Sequence, residues 1–372
     1  MKRCICILLF LLFLPLGAGE GAAELSVAAK GAVLIDARSG RVLFGQNENE
    51  RFPMASTTKI MTALLALENC ALDEEVTASE NASGVPGTSI YLGVGETLTM
   101  EEMLYGLLLR SGNDAAVAIA EHVSGGAEAF AARMNARAAE LGADAHFVNP
   151  HGLDADGHEA SALALARIFR QAMQNGDFRR ITGTQRATIP WVGNDFSRVL
   201  VSKNRLLTTY AGATGGKTGY TSDAGRCLVF SAEREGMELI GVVLSCPNWF
   251  DEAERMLDWG FANYHPETPL FAGEAACEVA VEGGMADAVT AVAEGDLAAA
   301  VGEGEAWRVE YDFPGGVRAP VVKGEAIGTA TLYIEGTPAA QTALLAGEDV
   351  EKRDLASALR RLLTRWTLLF AT

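Results

Sequence analysis

Residues 53–68 read PMASTTKIMTALLALE, and the interpretation of the whole chain starts from this stretch. Apolar residues from Ile60 onward recur with helical spacing, which predicts a helix that begins near Ala55. Ser56 and Lys59 are three residues apart, so both side chains lie on the same side of the first turn. A serine and a lysine in reach of each other are a candidate nucleophile and base.

The pairing makes chemical sense only if the lysine is uncharged. A serine hydroxyl must lose its proton as it attacks, so a base has to lie within hydrogen-bonding reach. Burial beside the apolar helix residues, or a neighbouring cation, lowers the pKa of Lys59. The alternative is that Ser56 caps the helix while Lys59 is solvated. Because about one Ser-x-x-Lys arises by chance in a chain this long, further partners are needed.

Two stretches of the form Ser-x-Asn offer a second element: SEN at 79–81 and SGN at 111–113. The first stands in a polar loop beside a glutamate. The second stands at a tight break between two apolar, helix-like segments, where Ser111 and Asn113 can project into a cleft, so we prefer it. There Ser111 can relay a proton and Asn113 can donate to an amide carbonyl. Helix capping is the ordinary alternative for both residues.

The third element is GATGGKTGYTSDAG at 212–225, which places Lys217, Thr218 and Gly219 at the start of a predicted strand. The glycines allow another backbone to approach, as the binding of an extended peptide along a strand edge requires. Lys217 and Thr218 are suited to holding a carboxylate or assisting proton transfer. A glycine-rich turn is the alternative.

The order Ser-x-x-Lys, Ser-x-Asn, Lys-Thr-Gly is far more specific than any of its parts. With it, the chain resembles the low-molecular-mass penicillin-binding proteins that act as D-alanyl-D-alanine carboxypeptidases. The resemblance runs through IDARSGRVL, SGNDAAVAIAEH, NPHGLD and GGKTGYT to a small β domain and an amphipathic tail.

The resemblance implies an acyl-enzyme mechanism without a cofactor. Ser56 is acylated by the penultimate D-alanine carbonyl of a peptidoglycan stem peptide, and Lys59 is the base. Ser111 and Lys217 pass the proton to the leaving D-alanine, and water then hydrolyses the ester. β-Lactam antibiotics are expected to acylate the same serine and to leave slowly.

The resemblance also implies the residues that bind the substrate. Asn113, Thr218 and Gly219 orient it, and the backbone N–H groups of Ser56 and Tyr220 form the oxyanion hole. Some relatives carry an arginine for the terminal carboxylate just before the closing helix, whereas this chain has Trp249 in the corresponding stretch.

Three other interpretations fit the sequence less well. A class A β-lactamase normally carries Glu-x-x-x-Asn between the second and third motifs, and 114–216 has no such pattern. The cluster His146, His151, Asp154, Asp156 and His158 contains zinc-ligand types, but it has no His-Glu-x-x-His and lies in a segment that the resemblance explains as a loop, so we expect no metal. A non-catalytic wall-binding protein is disfavoured because all three motifs are intact.

The distribution of helical and strand patterns predicts an α+β fold. Strand-like segments at both ends of the first two thirds imply one antiparallel sheet with a helical cluster packed on it. The predicted organisation is a signal peptide at 1–23, a serine peptidase domain at 24–267, a small all-β domain at 268–347 and an amphipathic helix at 348–372. Cys227 and Cys246 lie on two strands of one predicted hairpin and are the candidate disulfide pair.

Charge and the two termini indicate where the protein works. The formal charge of −18 argues against nucleic acid as a partner. Lys2 and Arg3 before a short apolar run are typical of a secretory signal, with a core helix as the alternative. Residues 351–372 combine an apolar face containing Trp366 with several arginines, which favours a helix lying at the membrane surface over one docked on its own protein. We therefore expect an exported protein at the outer face of the cytoplasmic membrane.

Overall fold

The computed structural model describes residues 25–355. The predicted signal peptide at 1–23 and residues 356–372 of the predicted terminal helix lie outside these residues. A 3-10 helix spans Ala55–Thr58. The α-helices are α1 (Lys59–Asn69), α2 (Glu80–Gly84), α3 (Met100–Leu109), α4 (Asn113–Ser124), α5 (Ala127–Glu140), α6 (Ala162–Ala172), α7 (Gly176–Thr182), α8 (Leu206–Thr209) and α9 (Trp249–Asn263).

The strands of the first domain form one large sheet and several short pairs. They are β1 (Gly31–Asp36), β2 (Val42–Gln46), β3 (Arg51–Pro53), β4 (Glu75–Thr77), β5 (Thr97–Thr99), β6 (Ala145–His146), β7 (Glu159–Ser161), β8 (Arg186–Ile189), β9 (Arg198–Val201), β10 (Ala213–Thr221), β11 (Gly225–Arg234) and β12 (Met237–Leu244).

The main sheet has the order β10-β11-β12-β1-β2, and every neighbouring pair is antiparallel. It is therefore assembled from both ends of the domain, as the sequence predicts. The hairpin between β11 and β12 turns through Glu235 and Gly236, whose φ angles of 50° and 80° are both positive, as a two-residue type I′ turn requires. The strand β10 lies at one edge of this sheet.

Helices cover both faces of the sheet. All six residues of β1 are buried, as expected for a strand between two layers. The helix α6 packs on β1 and β12, and α9 packs on β11 and β12. A Cβ at Gly260 of α9 would lie 2.6 Å from a Leu239 methyl group and 2.8 Å from one of Leu34, so this glycine lets α9 approach the sheet closely. The mixed α+β architecture expected from the sequence is confirmed.

In the second domain, from residue 264 to residue 354, the structure describes strands and the turns between them, with no helix. The strands are β13 (Tyr264–Leu270), β14 (Ala275–Glu282), β15 (Ala288–Ala293), β16 (Leu297–Gly302), β17 (Trp307–Asp312), β18 (Val317–Arg318), β19 (Ala326–Ile334) and β20 (Thr337–Ala346). They form a β13-β16 pair and a sheet of order β17-β19-β20-β15-β14-β18. A buried apolar cluster that includes Leu297, Leu332 and Leu344 is the centre of this domain.

Two features bear on the expectations for disulfides and membranes. Cys227 and Cys246 are both buried but are not joined, so the candidate disulfide is wrong. Because Leu228 pairs with Val243, the same register places Leu244 rather than Cys246 opposite Cys227. Between residues 25 and 355, no helix combines the length and the apolar character that crossing a bilayer requires.

Candidate active site

Ser56 and Lys59 lie together at the entrance to α1. Ser56 belongs to the 3-10 turn Ala55–Thr58, and Lys59 is the first residue of α1. The turn is strained at Ala55, whose φ of 48° is left-handed. Lys59 Nζ lies 3.0 Å from Ser56 Oγ, within hydrogen-bonding distance. The contact predicted from their spacing is present.

The Lys59 amine is fully buried and has two further polar neighbours. It donates to Asn113 Oδ1 at 2.7 Å and to the backbone carbonyl of His151. Burial holds the pKa of Lys59 well below its usual range, and the charges of Lys217 and Lys203 lower it further. This is the direction expected from the sequence.

The three neighbours determine how a neutral amine is oriented. An uncharged lysine has two N–H donors and one lone pair. The oxygens of Asn113 and His151 can only accept, so they take the two N–H groups. The lone pair then faces the Ser56 hydroxyl, the one neighbour that can donate a proton. The same hydroxyl lies 3.4 Å from the His151 carbonyl, a longer contact.

Ser111 and Asn113 occupy the break between α3 and α4. Ser111 has a φ of 64°, and both side chains are buried. The Asn113 backbone N–H donates to Thr88 O, and its Nδ2 donates to Pro86 O, each at 2.7 Å. These contacts orient the amide so that Oδ1 faces Lys59. In the other Ser-x-Asn stretch, Ser79 caps α2 by accepting from the Ala82 N–H at 3.1 Å.

The Lys-Thr-Gly stretch lies in the middle of β10 rather than at its start. Lys217 is buried, and its Nζ lies 2.9 Å from Ser111 Oγ and 2.7 Å from Thr218 O. Burial lowers the pKa of Lys217 well below its usual range, with Lys203 adding to the effect. A Cβ at Gly219 would lie 2.9 Å from the Ser56 backbone nitrogen, so the strand edge meets the serine directly. Tyr220, the next residue, is exposed.

All eight residues singled out in the sequence thus lie on three elements that meet. The elements are the turn and start of α1, the α3–α4 break and the edge strand β10. Lys59 links the first two through Asn113, and Lys217 links the second and third through Ser111.

The loop around His151 contacts the site, which its sequence did not indicate. Asn149 Oδ1 accepts the N–H groups of His151 and Gly152, which turns the His151 carbonyl toward Lys59. Gly152 has a φ of 86°, and a Cβ there would lie 2.0 Å from the Ala55 carbonyl oxygen. The Gly in NPHGLD was a usable sign of close backbone approach. The carbonyl of His151 has no sequence signature, because every residue carries one.

The histidine rings of this loop are engaged in local hydrogen bonds. His158 Nδ1 accepts the Val148 N–H at 3.0 Å, and its Nε2 lies 2.8 Å from Thr58 Oγ1. His151 Nδ1 accepts the Leu153 N–H at 3.2 Å. Burial lowers the pKa of His151 to about 3 and that of His158 to about 4, so both rings are neutral at ordinary pH.

A cationic side chain lies beside the stretch where the resemblance expects an arginine. Trp249 begins α9, and the Arg226 guanidinium of β11 lies 5.9 Å from its ring centroid. Arg226 also donates to Pro247 O at 2.7 Å, and it is the cross-strand partner of Tyr220. The cationic side chain beside this stretch therefore belongs to strand β11 and not to α9.

A serine hydroxyl against a buried, neutral lysine, beside a strand edge open to an extended peptide, is the arrangement of a serine-type acyl hydrolase. The family model of the D-alanyl-D-alanine carboxypeptidases matches residues 18–248, and that of the penicillin-binding protein 5 C-terminal domain matches 264–352. The chain belongs to the D-alanyl-D-alanine carboxypeptidase family and is a serine-type D-Ala-D-Ala carboxypeptidase of the penicillin-binding protein 5 type.

Individual relatives agree with this assignment. The D-alanyl-D-alanine carboxypeptidase DacF of Bacillus subtilis is 35% identical over 361 residues, which cover 94% of this chain and 92% of that protein. DacB2 of Mycobacterium tuberculosis is 38% identical over 239 residues, which cover 62% of this chain and 81% of that protein. The crystal structure of penicillin-binding protein 5 from Haemophilus influenzae has a TM-score of 0.76 at 29% identity and covers 89% of this chain and all of that one.

Proposed function

We propose that Ser56 is the nucleophile and Lys59 the base of this carboxypeptidase. The Ser56 oxygen attacks the carbonyl of the penultimate D-alanine, and its proton moves to the Lys59 lone pair. The N–H groups of Ser56 and Tyr220 stabilise the oxyanion that forms. The observation that carries this proposal is the set of neighbours of Lys59, which leaves only the serine hydroxyl to donate to its nitrogen.

Ser111 and Lys217 complete the transfer to the leaving group. The C–N bond breaks, and the amine of the departing D-alanine takes up the proton through the Ser111 hydroxyl, which lies 2.9 Å from Lys217 Nζ. Water then attacks the Ser56 ester, and the proton returns to the serine. Asn113 and Thr218 orient the peptide, which lies extended along the edge of β10.

The test measures acylation and turnover in two serine variants and their controls. Ser56→Ala is expected to lose both covalent labelling by a fluorescent penicillin and release of D-alanine from a D-Ala-D-Ala peptide. Ser111→Ala is expected to slow the release of D-alanine by about 100-fold or more, because a proton-transfer group typically accelerates a reaction by at least that factor. Ser79→Ala, in the other Ser-x-Asn stretch, is the matched control and keeps both activities. Labelling that persists in Ser56→Ala assigns the nucleophile to another residue.

We further propose that the protein acts on the outer face of the cytoplasmic membrane. The basic, apolar start of the chain supports export, and the arginine-rich amphipathic segment at 351–372 supports peripheral anchoring. Deletion of 351–372 is expected to release the protein from membranes and to leave turnover unchanged. Cell fractionation with an assay of both fractions checks this, and a deleted protein that still pellets with membranes contradicts the anchor.

A further inference from the structure

We propose that Cys70, Glu74 and His122 bind a divalent metal ion, with zinc the metal that best fits their donors. Cys70 is the C-cap of α1, Glu74 stands in the following turn, and His122 lies in the last turn of α4. One donor atom from each lies within 4.8 Å of the other two, and no other such group occurs in residues 25–355. None of the three takes part in the proposed reaction.

The distances are close to those of a coordinated ion. His122 Nε2 lies 3.1 Å from Glu74 Oε2, and Cys70 Sγ lies within 4.8 Å of a donor atom of each. Tetrahedral zinc, with bonds of about 2.0–2.3 Å to nitrogen, oxygen and sulfur, separates its ligands by about 3.3–3.8 Å. An ion therefore fits between the three groups after a small outward movement of each. A simple His–Glu ion pair explains two of the three groups but not the thiol.

The surrounding backbone holds the carboxylate in place. Glu74 Oε1 accepts the Ala71 N–H at 2.6 Å, and the Glu74 carbonyl accepts the Met100 N–H at 2.8 Å. The second carboxylate oxygen is thereby directed at His122. Ligands fixed in this way lose little conformational freedom when an ion binds.

The electrostatics of the site also favour a cation. The C-terminal ends of α1 and α4 meet here, and each carries the partial negative charge of its helix dipole. Arg133 connects these ends by donating to Val123 O at 3.0 Å and to Asn69 Oδ1. These bonds hold the guanidinium on acceptors other than the thiol, the imidazole and the carboxylate, although its charge also acts on Cys70.

Binding requires defined proton states. Cys70 binds the ion as a thiolate, so the thiol proton is released to solvent as the metal–sulfur bond forms. His122 binds through Nε2 as a neutral imidazole, with its proton on Nδ1. The side chains of His122 and Glu74 are 28% and 43% exposed, which leaves the fourth position open to water.

The proposed ion connects the far ends of the two helices that begin with Lys59 and Asn113. Because the metal site lies at the opposite end of both helices, we expect it to add stability rather than chemistry. Zinc should raise the midpoint of thermal unfolding, and penicillin labelling should be unaffected by the metal.

The full chain, freed of metal, is titrated with Co²⁺ and then with Zn²⁺. Wild type is expected to show thiolate-to-cobalt charge-transfer absorption with visible bands of a four-coordinate ion, which Zn²⁺ displaces. Cys70→Ser is expected to lose the charge-transfer band, and both Cys70→Ser and His122→Ala to weaken zinc binding at least about tenfold. Cys277→Ser, in the second domain, is the control and binds as wild type does.

Circular dichroism verifies that each variant is folded, so a loss of binding is not a loss of structure. The proposal is overturned if the charge-transfer band survives in Cys70→Ser, or if zinc affinity is the same in His122→Ala and wild type. It is also overturned if zinc leaves the unfolding midpoint of wild type unchanged. These outcomes are independent of the serine chemistry, which penicillin labelling reports separately.

Discussion

For single residues, the chemistry depends on the charge state of Lys59. Burial is the main cause of its lowered pKa, and the charges of Lys217 and Lys203 contribute. Lys217 also contacts Ser111, so replacing Lys217 would change both the charge near Lys59 and the surroundings of Ser111. Lys203 lies outside these contacts, with its Nζ 3.5 Å from Thr88 Oγ1. It therefore offers a way to alter the electrostatics without touching the reacting groups.

We predict that Lys203→Met moves the acid limb of the pH–rate profile of acylation to higher pH. A base works only when unprotonated, so acylation falls as the pH drops through the pKa of Lys59. Removing the Lys203 charge raises the pKa of Lys59, so on the acid side of the profile the rate should fall several-fold while the plateau at higher pH is retained. Stopped-flow measurement of penicillin acylation across pH checks this.

The matched control is Lys323→Met, which removes an exposed positive charge in the second domain and should leave the profile unchanged. An acid limb that is identical in Lys203→Met and wild type contradicts the electrostatic account.

The positions of the reacting side chains could be predicted from the sequence, but their surroundings could not. The three motifs point to Ser56, Lys59 and Lys217 because the proposed chemistry needs those residue types. The roles of the His151 carbonyl and of the Lys203 charge depend on long-range folding. A backbone oxygen and a single lysine in a loop carry no local pattern that marks them.

Among the secondary-structure elements, the edge strand β10 lies directly against the turn that carries Ser56. It therefore sets the distance between Ser56 and a peptide bound along this edge. Gly219 allows the contact because it lacks a side chain, and a Cβ there would lie 2.9 Å from the Ser56 nitrogen and 3.1 Å from that of Thr57. Both are backbone atoms, which cannot rotate away. Any larger residue must push β10 from the turn that carries the nucleophile.

We predict that Gly219→Val lowers the acylation rate by about 100-fold, since a displacement of roughly 1 Å in an active site has that effect. The penicillin acylation rate measures it, and circular dichroism verifies the fold. Gly84→Ala is the control, because the space around Gly84 in α2 is open. Acylation of Gly219→Val at the wild-type rate would mean that the strand edge does not set the geometry.

Element types were predictable because alternating and helical patterns reflect which faces are buried. The β11–β12 hairpin and its turn at Glu235 and Gly236 follow from such a pattern. Register was not predictable to the one residue that a disulfide between Cys227 and Cys246 requires. The residue opposite Cys227 is Leu244, two positions from Cys246, and a slip of two positions keeps every side chain on the same face of the sheet.

For the whole molecule, each domain has its own apolar core. The core around α1, α3, α4 and α6 consists of residues between Val33 and Leu244, and that of the second domain begins at Leu270.

We predict that residues 25–263 fold alone and are labelled by penicillin at the rate of the full chain. The reason is that the motifs and the core that positions them lie within this range. Thermal unfolding followed by circular dichroism and a labelling time course measure both properties. A fragment that unfolds cooperatively but is not labelled would show that the second domain is needed for the site.

The proposed acylation requires that Lys59 be uncharged when Ser56 attacks. Nuclear magnetic resonance of a chain with isotopically labelled lysine side chains, assigned with Lys59→Arg, reports the charge of this amine directly across pH. We predict that the Lys59 signal is that of a neutral amine at about pH 7 and titrates far below the ordinary lysine value of about 10.4. A Lys59 signal that remains that of an ammonium at about pH 7 would contradict the proposed mechanism.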